Sequence, residues 1–286
     1  MNAAPKVLVG ITTFNRAGLL PKALAAARAQ SYPGLMVAVV DDGSTDATPG
    51  LRAGHPDVRW ERNEATRGYM ACRNHLMQTA EADFYVSLDD DAWFLQGDEI
   101  AVAVARMQED PAIGAIAFDI LSPDRPNQAP RTPPEPATVF VGCGHVLRLA
   151  AVRAVGGYAP TPGAYGSEEK DLSLRLLDAG WAIVKLPGVH VWHEKAWNGR
   201  DWYPLHRSGV CNELVMTVRR CPAPDVLVVL PLKLVSYAWF WLRRPRYLRA
   251  GLAGVAQFLR HLGGSWRTRK PVRRRTFWRA TAGRTP

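Results

Sequence analysis

Hydrophobic and polar residues follow two different periods along the first 120 positions, and the two periods alternate. Short apolar runs rich in β-branched residues predict buried strands, whereas apolar positions three and four apart predict helices with one buried face. The predicted strands cover residues 6–13, 36–40, 82–88 and 114–118, and the predicted helices cover residues 17–30, 66–80 and 98–109. This alternation predicts an α/β fold with a mostly parallel, Rossmann-like sheet flanked by helices.

The second half of the chain has a less regular pattern. A proline-rich stretch at 122–136 predicts a loop. Beyond it the pattern predicts a strand at 138–141, helices at 148–155 and 168–179, and a strand at 189–194. Two longer apolar stretches at 226–242 and 247–262 predict further helices. We therefore expect a body over residues 1–205, in two halves that meet near residue 120, and a helical extension over residues 206–286.

Charge separates the same two parts of the chain. Residues 1–200 contain 19 Lys and Arg and 23 Asp and Glu, whereas residues 201–286 contain 17 Lys and Arg and only 3 acidic residues. The net charge of +10 therefore belongs to the C-terminal extension, and a partner of this basic surface is separate from any chemistry in the body. The four cysteines have no CxxC spacing and no signal-peptide pattern opens the chain, which favours a cytoplasmic protein.

Three consecutive aspartates, Asp89, Asp90 and Asp91, end the predicted strand 82–88. Crowded carboxylates repel one another unless a positive charge lies among them. Mg²⁺ and Mn²⁺ prefer oxygen ligands and share them with phosphates, and ligands of open α/β sheets bind at the carboxyl ends of strands. The triplet therefore predicts a metal–phosphate site. The alternative is a solvated acidic turn that caps the helix starting near Gly97.

Polar clusters also end the first two predicted strands. Residues 12–16 contain Phe14, which can stack on a base, and residues 41–46 contain Asp42, which can accept hydrogen bonds from a base or a ribose. A turn with a helix cap is the alternative for 41–46, because Asp, Gly and Ser favour turns. Further along, Arg67 and Arg73 suit a diphosphate, because guanidinium groups bind phosphate in a bidentate manner. An exposed helix start with ordinary surface charge is the alternative there.

A second acidic cluster begins the predicted helix 168–179. Carboxylates in a first helical turn are favoured by the helix dipole, so Glu168, Glu169 and Asp171 have a structural explanation. The functional alternative is that one glutamate is a general base facing the metal site. His193, at the end of the last predicted strand of the body, could complete the coordination of the metal, although a lone histidine is more often not a ligand.

In this order and spacing the motifs resemble the inverting nucleotide-sugar glycosyltransferases of family 2, which have the GT-A fold. The resemblance covers about residues 5–200. The residues that it implies for nucleotide-sugar binding are Thr12, Phe14, Asn15, Arg16, Asp42, Arg67, Arg73, Asp89 and Asp90. Those that it implies for binding Mn²⁺ or Mg²⁺ are Asp89, Asp91 and His193. It places the catalytic base at Glu169, where the family more commonly has aspartate, and this departure leaves Glu168 and Asp171 as alternatives.

The resemblance implies a single displacement that inverts the anomeric centre. The metal and an arginine would offset the charge of the departing diphosphate, and the base would take a proton from the acceptor hydroxyl. The expected acceptor is lipid-linked, a polysaccharide or a natural product. Two alternatives are a non-catalytic nucleotide-sugar binding or assembly protein and a metal-dependent nucleotidyltransferase. The latter would need a glycine-rich basic loop where residues 12–16 stand.

The basic extension has its own candidate partners. Residues 226–286 lack acidic side chains and alternate apolar runs with arginine clusters. Aromatic residues beside cations suit an anionic membrane interface, so we expect peripheral contact with the inner face of the cell membrane. The alternative is an ordinary amphipathic extension that packs on the body or makes a homodimer, with a solvated tail. No RNA-binding motif is present, and no nucleic acid partner is expected.

Overall fold

The computed structural model describes residues 4–195 and 201–281. These residues form two compact units, one of residues 4–157 and 179–195 and one of residues 158–178 and 201–281. The first unit contains the whole β-sheet and the second is helical. The domain boundary that we expect near residue 205 stays a prediction. That position lies inside a continuous helix, and the helix that begins at Glu168 groups with the C-terminal helices.

Within the described ranges the first unit has nine strands and four α-helices. The strands are β1 Val7–Thr13, β2 Leu35–Asp41, β3 Arg59–Arg62, β4 Phe84–Asp89, β5 Ala92–Phe94, β6 Ile113–Leu121, β7 Glu135–Ala137, β8 Gly144–Arg148 and β9 Ala182–His193. The helices are α1 Leu20–Arg28, α2 Tyr69–Thr79, α3 Glu99–Glu109 and α4 Leu149–Ala154. A short 3₁₀ helix covers Thr48–Gly54.

The strand order is β3-β2-β1-β4-β8-β6-β9-β5, with β7 paired to β9 outside this path. The strands β3, β2, β1 and β4 are parallel, whereas β8 runs antiparallel to both β4 and β6. The α/β fold class is therefore confirmed, with a sheet that is parallel in its N-terminal half and mixed beyond it. The main core lies where β1, β2, β4 and β6 pack against α1 and α3.

Several predicted elements differ from the observed ones. The strand predicted at 138–141 is wrong, because the chain there is a loop between β7 and β8 in which Val139 and Val141 are exposed. The helix predicted from residue 66 begins only at Tyr69, since Gly68 has a φ of 87° that ordinary residues rarely adopt. β3, β5, β7 and β8 are additional strands that the hydrophobic pattern does not predict, and β7 begins within the last two residues of the loop predicted at 122–136.

The second unit has five α-helices within the described residues. They are α5 Glu168–Asp178, α6 Trp202–Arg220, α7 Val226–Arg243, α8 Leu248–Arg267 and α9 Arg274–Thr281. The helix α6 is central, because Leu214 and Val218 on it are buried in one cluster with Trp241 of α7 and Phe258 of α8. A second cluster joins Leu174 of α5 to α6, α7 and α9. Five residues of the predicted extension, 282–286, lie outside the described ranges.

Candidate functional site

Three of the predicted motifs meet at one edge of the sheet. Thr12 of β1 is in register with Val40 of β2 on one side and with Asp89 of β4 on the other. These strands are parallel, so their carboxyl ends and the loops that follow lie side by side. The clusters at 12–16, 41–46 and 89–91 therefore form one surface, as the sequence predicts.

A candidate cation site lies at the end of β4. Oxygen atoms of Asp89 and Asp91 and a ring nitrogen of His193 lie within 4.8 Å of one another. β5 pairs with β9 so that Ala92 is opposite His193, and the amide of Glu194 donates to the carbonyl of Asp91 at 2.9 Å. This pairing brings together residues that are about a hundred positions apart in the sequence.

The donor set fits a divalent cation. Nε2 of His193 is buried and lies 3.2 Å from Oδ1 of Asp91, yet among the described residues it has no hydrogen-bond partner. Asp91 itself is only 2% exposed. Two carboxylates and an imidazole match the ligand preferences of Mn²⁺, and two carboxylates also suit Mg²⁺.

The alternative explanation of the triplet as a helix cap is wrong. β5 and a loop separate Asp91 from α3, and the amides of Leu95 and Gln96 just before α3 donate to Glu99 at 2.6 Å. Glu99 thus holds the loop before α3, and the amide of Ile100 in the first turn of α3 donates to Oε1 of Gln30 at 3.0 Å. The three aspartates therefore lie at the carboxyl end of β4 and not at the start of α3.

The middle aspartate, Asp90, has an unusual environment. Burial, together with the neighbouring carboxylates of Asp91 and Asp89, raises the pKa of Asp90 to about 7, although the hydrogen bond from Thr13 and the charge of Arg16 act in the opposite direction. Nε of Arg16 lies 3.8 Å from Oδ1 of Asp90. Arg16 therefore contacts the acidic triplet.

Arg73 is directed at the acidic triplet as well. It is buried on α2 and donates to Oδ1 of Asp89 and, at 3.2 Å, to the carbonyl of Gly142. This arginine therefore orients Asp89. Arg67, in contrast, is exposed in the loop just before the same helix, where its guanidinium can reach an anion.

The loop after β1 is fixed by Asn15. This residue has a φ of 54°, its amide donates to Oγ of Ser44 at 2.9 Å, and its Oδ1 accepts from the amide of Thr45 at 2.8 Å. Asn15 thereby joins the loops after β1 and β2. The neighbouring ring of Phe14 remains 46% exposed, so it is accessible for stacking.

The two aspartates at the end of β2 both bind the protein backbone. Asp41 accepts from the amide of Ser44 at 2.8 Å. Asp42 is buried, its Oδ1 accepts from Nδ2 of Asn63 at 2.7 Å and from the amide of Arg67 at 2.8 Å, and its Oδ2 accepts from the amide of Gly68 at 2.8 Å. Asp42 therefore holds the loop that carries Arg67. The implied contact with a base would have to share oxygens that already accept three hydrogen bonds.

The sequence-based reasoning missed the segment that precedes β8. The carbonyl of Gly142 accepts a hydrogen bond from Arg73. Burial raises the pKa of the Cys143 thiol, and the nearby charges of Asp89 and Asp91 also raise it. Burial and the charge of Arg73 lower the pKa of His145 to about 3, so its ring is neutral. A glycine on each side of Cys143 was the available signal, because glycine permits close approach of the backbone.

In the helical unit, the three candidate bases have different surroundings. Asp171 is buried and accepts from Nε of Arg175 at 2.7 Å and from Nε of Arg220 at 2.6 Å, so it links α5 to α6. Glu168 is only 2% exposed, whereas Glu169 is partly exposed. Asp171 thus forms ion pairs that hold the helices together. Glu169 is the most solvent-exposed of the three carboxylates.

The fold, with its strand-end carboxylates, defines a GT-A type α/β protein that has candidate cation and nucleotide sites. The sequence model described as Glycosyl transferase family 2 matches residues 8–151, which is half of the chain. The chain therefore belongs to glycosyl transferase family 2.

One curated relative is the Pre-mycofactocin glycosyltransferase of Mycobacterium tuberculosis, 27% identical over 190 residues. The match covers 60% of this chain but only 40% of that protein. The chain thus spans well under half of the relative's length.

Two solved structures are similar in fold. The mannosyltransferase PcManGT from Pyrobaculum calidifontis, in complex with GDP-Man and Mn²⁺, has a TM-score of 0.61 and 20% identity, with 91% of this chain and 76% of that chain covered. S. aureus TarS 1-349, in complex with UDP-GlcNAc, has a TM-score of 0.63 and 16% identity, with 97% and 88% covered. Both neighbours bind nucleotide sugars, and this likeness establishes the GT-A fold of the present chain.

Proposed function

We propose that this protein is an inverting glycosyltransferase that moves a sugar from a nucleotide-diphosphate sugar to an acceptor hydroxyl. The observation that carries the proposal is the cluster of Asp89, Asp91 and His193 at the end of β4, beside the loops after β1 and β2. The family supports the reaction class, and the fold neighbours with GDP-Man and UDP-GlcNAc support a nucleotide-sugar donor.

The donor would lie along the carboxyl ends of β1, β2 and β4. Phe14 would stack on the base beside Thr12, and Asp89, oriented by Arg73, would accept from the ribose hydroxyls. The exposed guanidinium of Arg67 would contact the diphosphate. Asn15 and Asp42 would act by holding the loops that carry these groups. Arg16 and Asp90, which contact each other, would lie at the border of the donor site.

Asp89, Asp91 and His193 would hold Mn²⁺ or Mg²⁺, which when bound offsets the negative charge of the departing diphosphate. The buried Nε2 of His193 without a hydrogen-bond partner among the described residues supports this assignment. The neighbour that contains GDP-Man also contains Mn²⁺, which favours manganese.

Glu169 would be the general base. It would take the proton from the acceptor oxygen as that oxygen attacks the anomeric carbon, and one displacement would invert this centre. The partial exposure of Glu169 supports its role as the base. Asp171 is paired with two arginines, and Glu168 is buried.

The acceptor would be lipid-linked, a polysaccharide or a natural product, reached on the cytoplasmic side. Membrane contact through the extension is part of this proposal, supported by the excess of 17 basic over 3 acidic residues in 201–286. Four buried cysteines without disulfide bonds agree with a reducing compartment.

The experiment is a thermal-shift screen of nucleotide-diphosphate sugars with and without Mn²⁺, followed by NMR analysis of the product formed with the best donor. A ligand that binds the folded state raises its stability, so the true donor should raise the melting temperature only when the metal is present. The product should have the opposite anomeric configuration to the donor. Stabilisation without transfer to any acceptor would favour a non-catalytic nucleotide-sugar binding protein.

A further inference from the structure

Two helices of the helical unit expose large apolar side chains. On α7 these are Leu227, Val228, Leu232, Val235, Trp239 and Leu242, each 56–75% exposed. On α8 they are Leu248, Leu252, Leu259 and Trp266, each 44–59% exposed. Isolated exposed leucines are normal, but exposed apolar side chains concentrated on two neighbouring helices mark an interaction surface.

The exposed side chains form a stripe on each helix. With 3.6 residues per turn, the six on α7 fall within about 140° of arc and the four on α8 within about 40°. The opposite face of each helix packs on α6, through Val229 and Trp241 on α7 and through Phe258 on α8. Each helix thus has one face in the protein core and one apolar face directed away from α6.

Positive charge flanks the stripe of α8. Arg249, Arg260 and Arg267 lie within about 20° of each other on the helix and adjoin one edge of the stripe. All three are exposed, and no acidic residue follows Asp225 anywhere in the chain. An apolar stripe bordered by arginines is complementary to an anionic lipid surface, where the apolar face enters the acyl region and the cations meet head groups.

Aromatic residues reinforce this border. The guanidinium of Arg243 lies 4.4 Å from the ring centre of the exposed Trp239, and that of Arg269 lies 4.6 Å from the ring centre of Trp266. Tryptophan is enriched at membrane interfaces, because its ring is apolar and its N–H is polar. Both ends of the surface therefore carry side chains suited to the boundary between lipid and water.

By length and composition α7 could also cross a membrane: it has 18 residues with a mean hydropathy of 1.5, and only 17% of these residues are buried. Its packing argues against crossing. Lys233, in the middle of α7, pairs with Glu213 of α6, and Oε2 of Glu213 accepts from Ser167 at 2.9 Å. Insertion across the bilayer would bury the Lys233 charge without this partner and would remove Trp241 from its packing with α6.

We propose that α7 and α8 lie in the plane of an anionic membrane, with their exposed stripes inserted shallowly and α7 not crossing. The ten exposed side chains of the two stripes form the interfacial face. Membrane binding by this face does not depend on the proposed reaction. The further step, that the acceptor is then lipid-anchored, rests on the proposed function.

The first test measures binding of the full chain to vesicles by flotation. Vesicles of equal parts phosphatidylcholine and phosphatidylglycerol should carry the protein upward at low salt, and vesicles of phosphatidylcholine alone should not. Leu252→Gln/Leu259→Gln should partition at least about tenfold more weakly, because two leucine side chains are lost from the acyl region. His261→Gln is the matched control, since His261 is exposed on α8 outside the stripe and should bind like the parent.

The second test measures depth with a fluorescent label on single added cysteines. The four native cysteines are buried, so labelling should be confined to the added ones. Labels at Leu227→Cys, Val235→Cys and Leu242→Cys should all be quenched more strongly by a nitroxide near the lipid head group than by one near the end of the acyl chain. In a crossing helix the ends would differ in depth by about 22 Å, and the label at position 235 would respond most to the deep nitroxide.

Three results would overturn the proposal. The first is a parent chain that stays below the vesicles at low salt. The second is a chain that forms a dimer in solution and becomes monomeric in Leu252→Gln/Leu259→Gln, because the interfacial face would then contact a second copy. The third is deep quenching at position 235, which would make α7 a membrane span. None of these measurements involves turnover, so their failure is distinguishable from failure of the proposed reaction.

Discussion

Replacing Asp42 by asparagine tests whether this carboxylate anchors a loop or contacts the base. Its two oxygens accept three hydrogen bonds at 2.7–2.8 Å, two of them from the amides of Arg67 and Gly68. Asparagine has the same shape but only one acceptor oxygen, so at least one donor would face an NH₂ group and lose its bond. A hydrogen bond to a charged group contributes about 1.5–3 kcal/mol.

This loss predicts roughly 10- to 150-fold faster hydrogen exchange at whichever amide, of Arg67 or Gly68, faces the NH₂ group, because about 1.4 kcal/mol corresponds to a factor of ten. Mass spectrometry of a peptide spanning residues 63–70 gives the rate. Asp57→Asn is the control: it changes an exposed aspartate in the same unit and should leave that peptide unchanged. Affinity for nucleoside diphosphates should also fall, since the loop positions Arg67.

Unchanged exchange in Asp42→Asn would refute the loop-anchoring role. If the same variant also lost nucleoside-diphosphate binding, Asp42 would be in direct contact with the base, as the family resemblance implies. The two roles therefore give different combinations of exchange rate and affinity.

Three further substitutions test the remaining assignments. Glu169→Gln should keep nucleoside-diphosphate affinity while kcat falls by about a hundredfold or more, and near-normal turnover would contradict its role as base. Asp171→Asn should lower the free energy of unfolding in chemical denaturation by about 3 kcal/mol, because it leaves Arg175 and Arg220 without a full charge partner; a stable but inactive variant would make Asp171 the base. Phe14→Ala should weaken nucleoside-diphosphate binding by about 1–3 kcal/mol in calorimetry if the exposed ring stacks on the base, and unchanged affinity would contradict stacking.

The parallel half of the sheet could be predicted because its strands are short apolar runs that end in polar clusters. β1, β2 and β4 have this pattern, and the parallel arrangement alone implies that residues 12–16, 41–46 and 89–91 meet. β3 was not predictable in this way, because Arg59 to Arg62 are mostly charged and lie at the sheet edge. β5 has only three residues, too few for a period to appear.

The contacts between distant residues could not be read from local patterns. Asp171 has the appearance of an ordinary first-turn carboxylate, and only the fold shows that Arg220, 49 positions away, is its partner. Asp42 has the appearance of a ligand, and only the fold shows that it accepts from the loop 25 positions further on. In both cases a side chain suited to chemistry is used to hold the backbone.

The cation site is the central claim, and the most direct measurement is a titration of the protein with Mn²⁺ monitored by the electron paramagnetic resonance of the free ion. In the presence of a nucleoside diphosphate, the parent chain should bind one Mn²⁺ more tightly than the nucleotide does alone. Asp91→Asn should lose most of this binding, because it removes a charged ligand from the cluster with Asp89 and His193, while Asp57→Asn should bind like the parent. Equal Mn²⁺ binding by Asp91→Asn and the parent would contradict the assignment of the metal to this cluster.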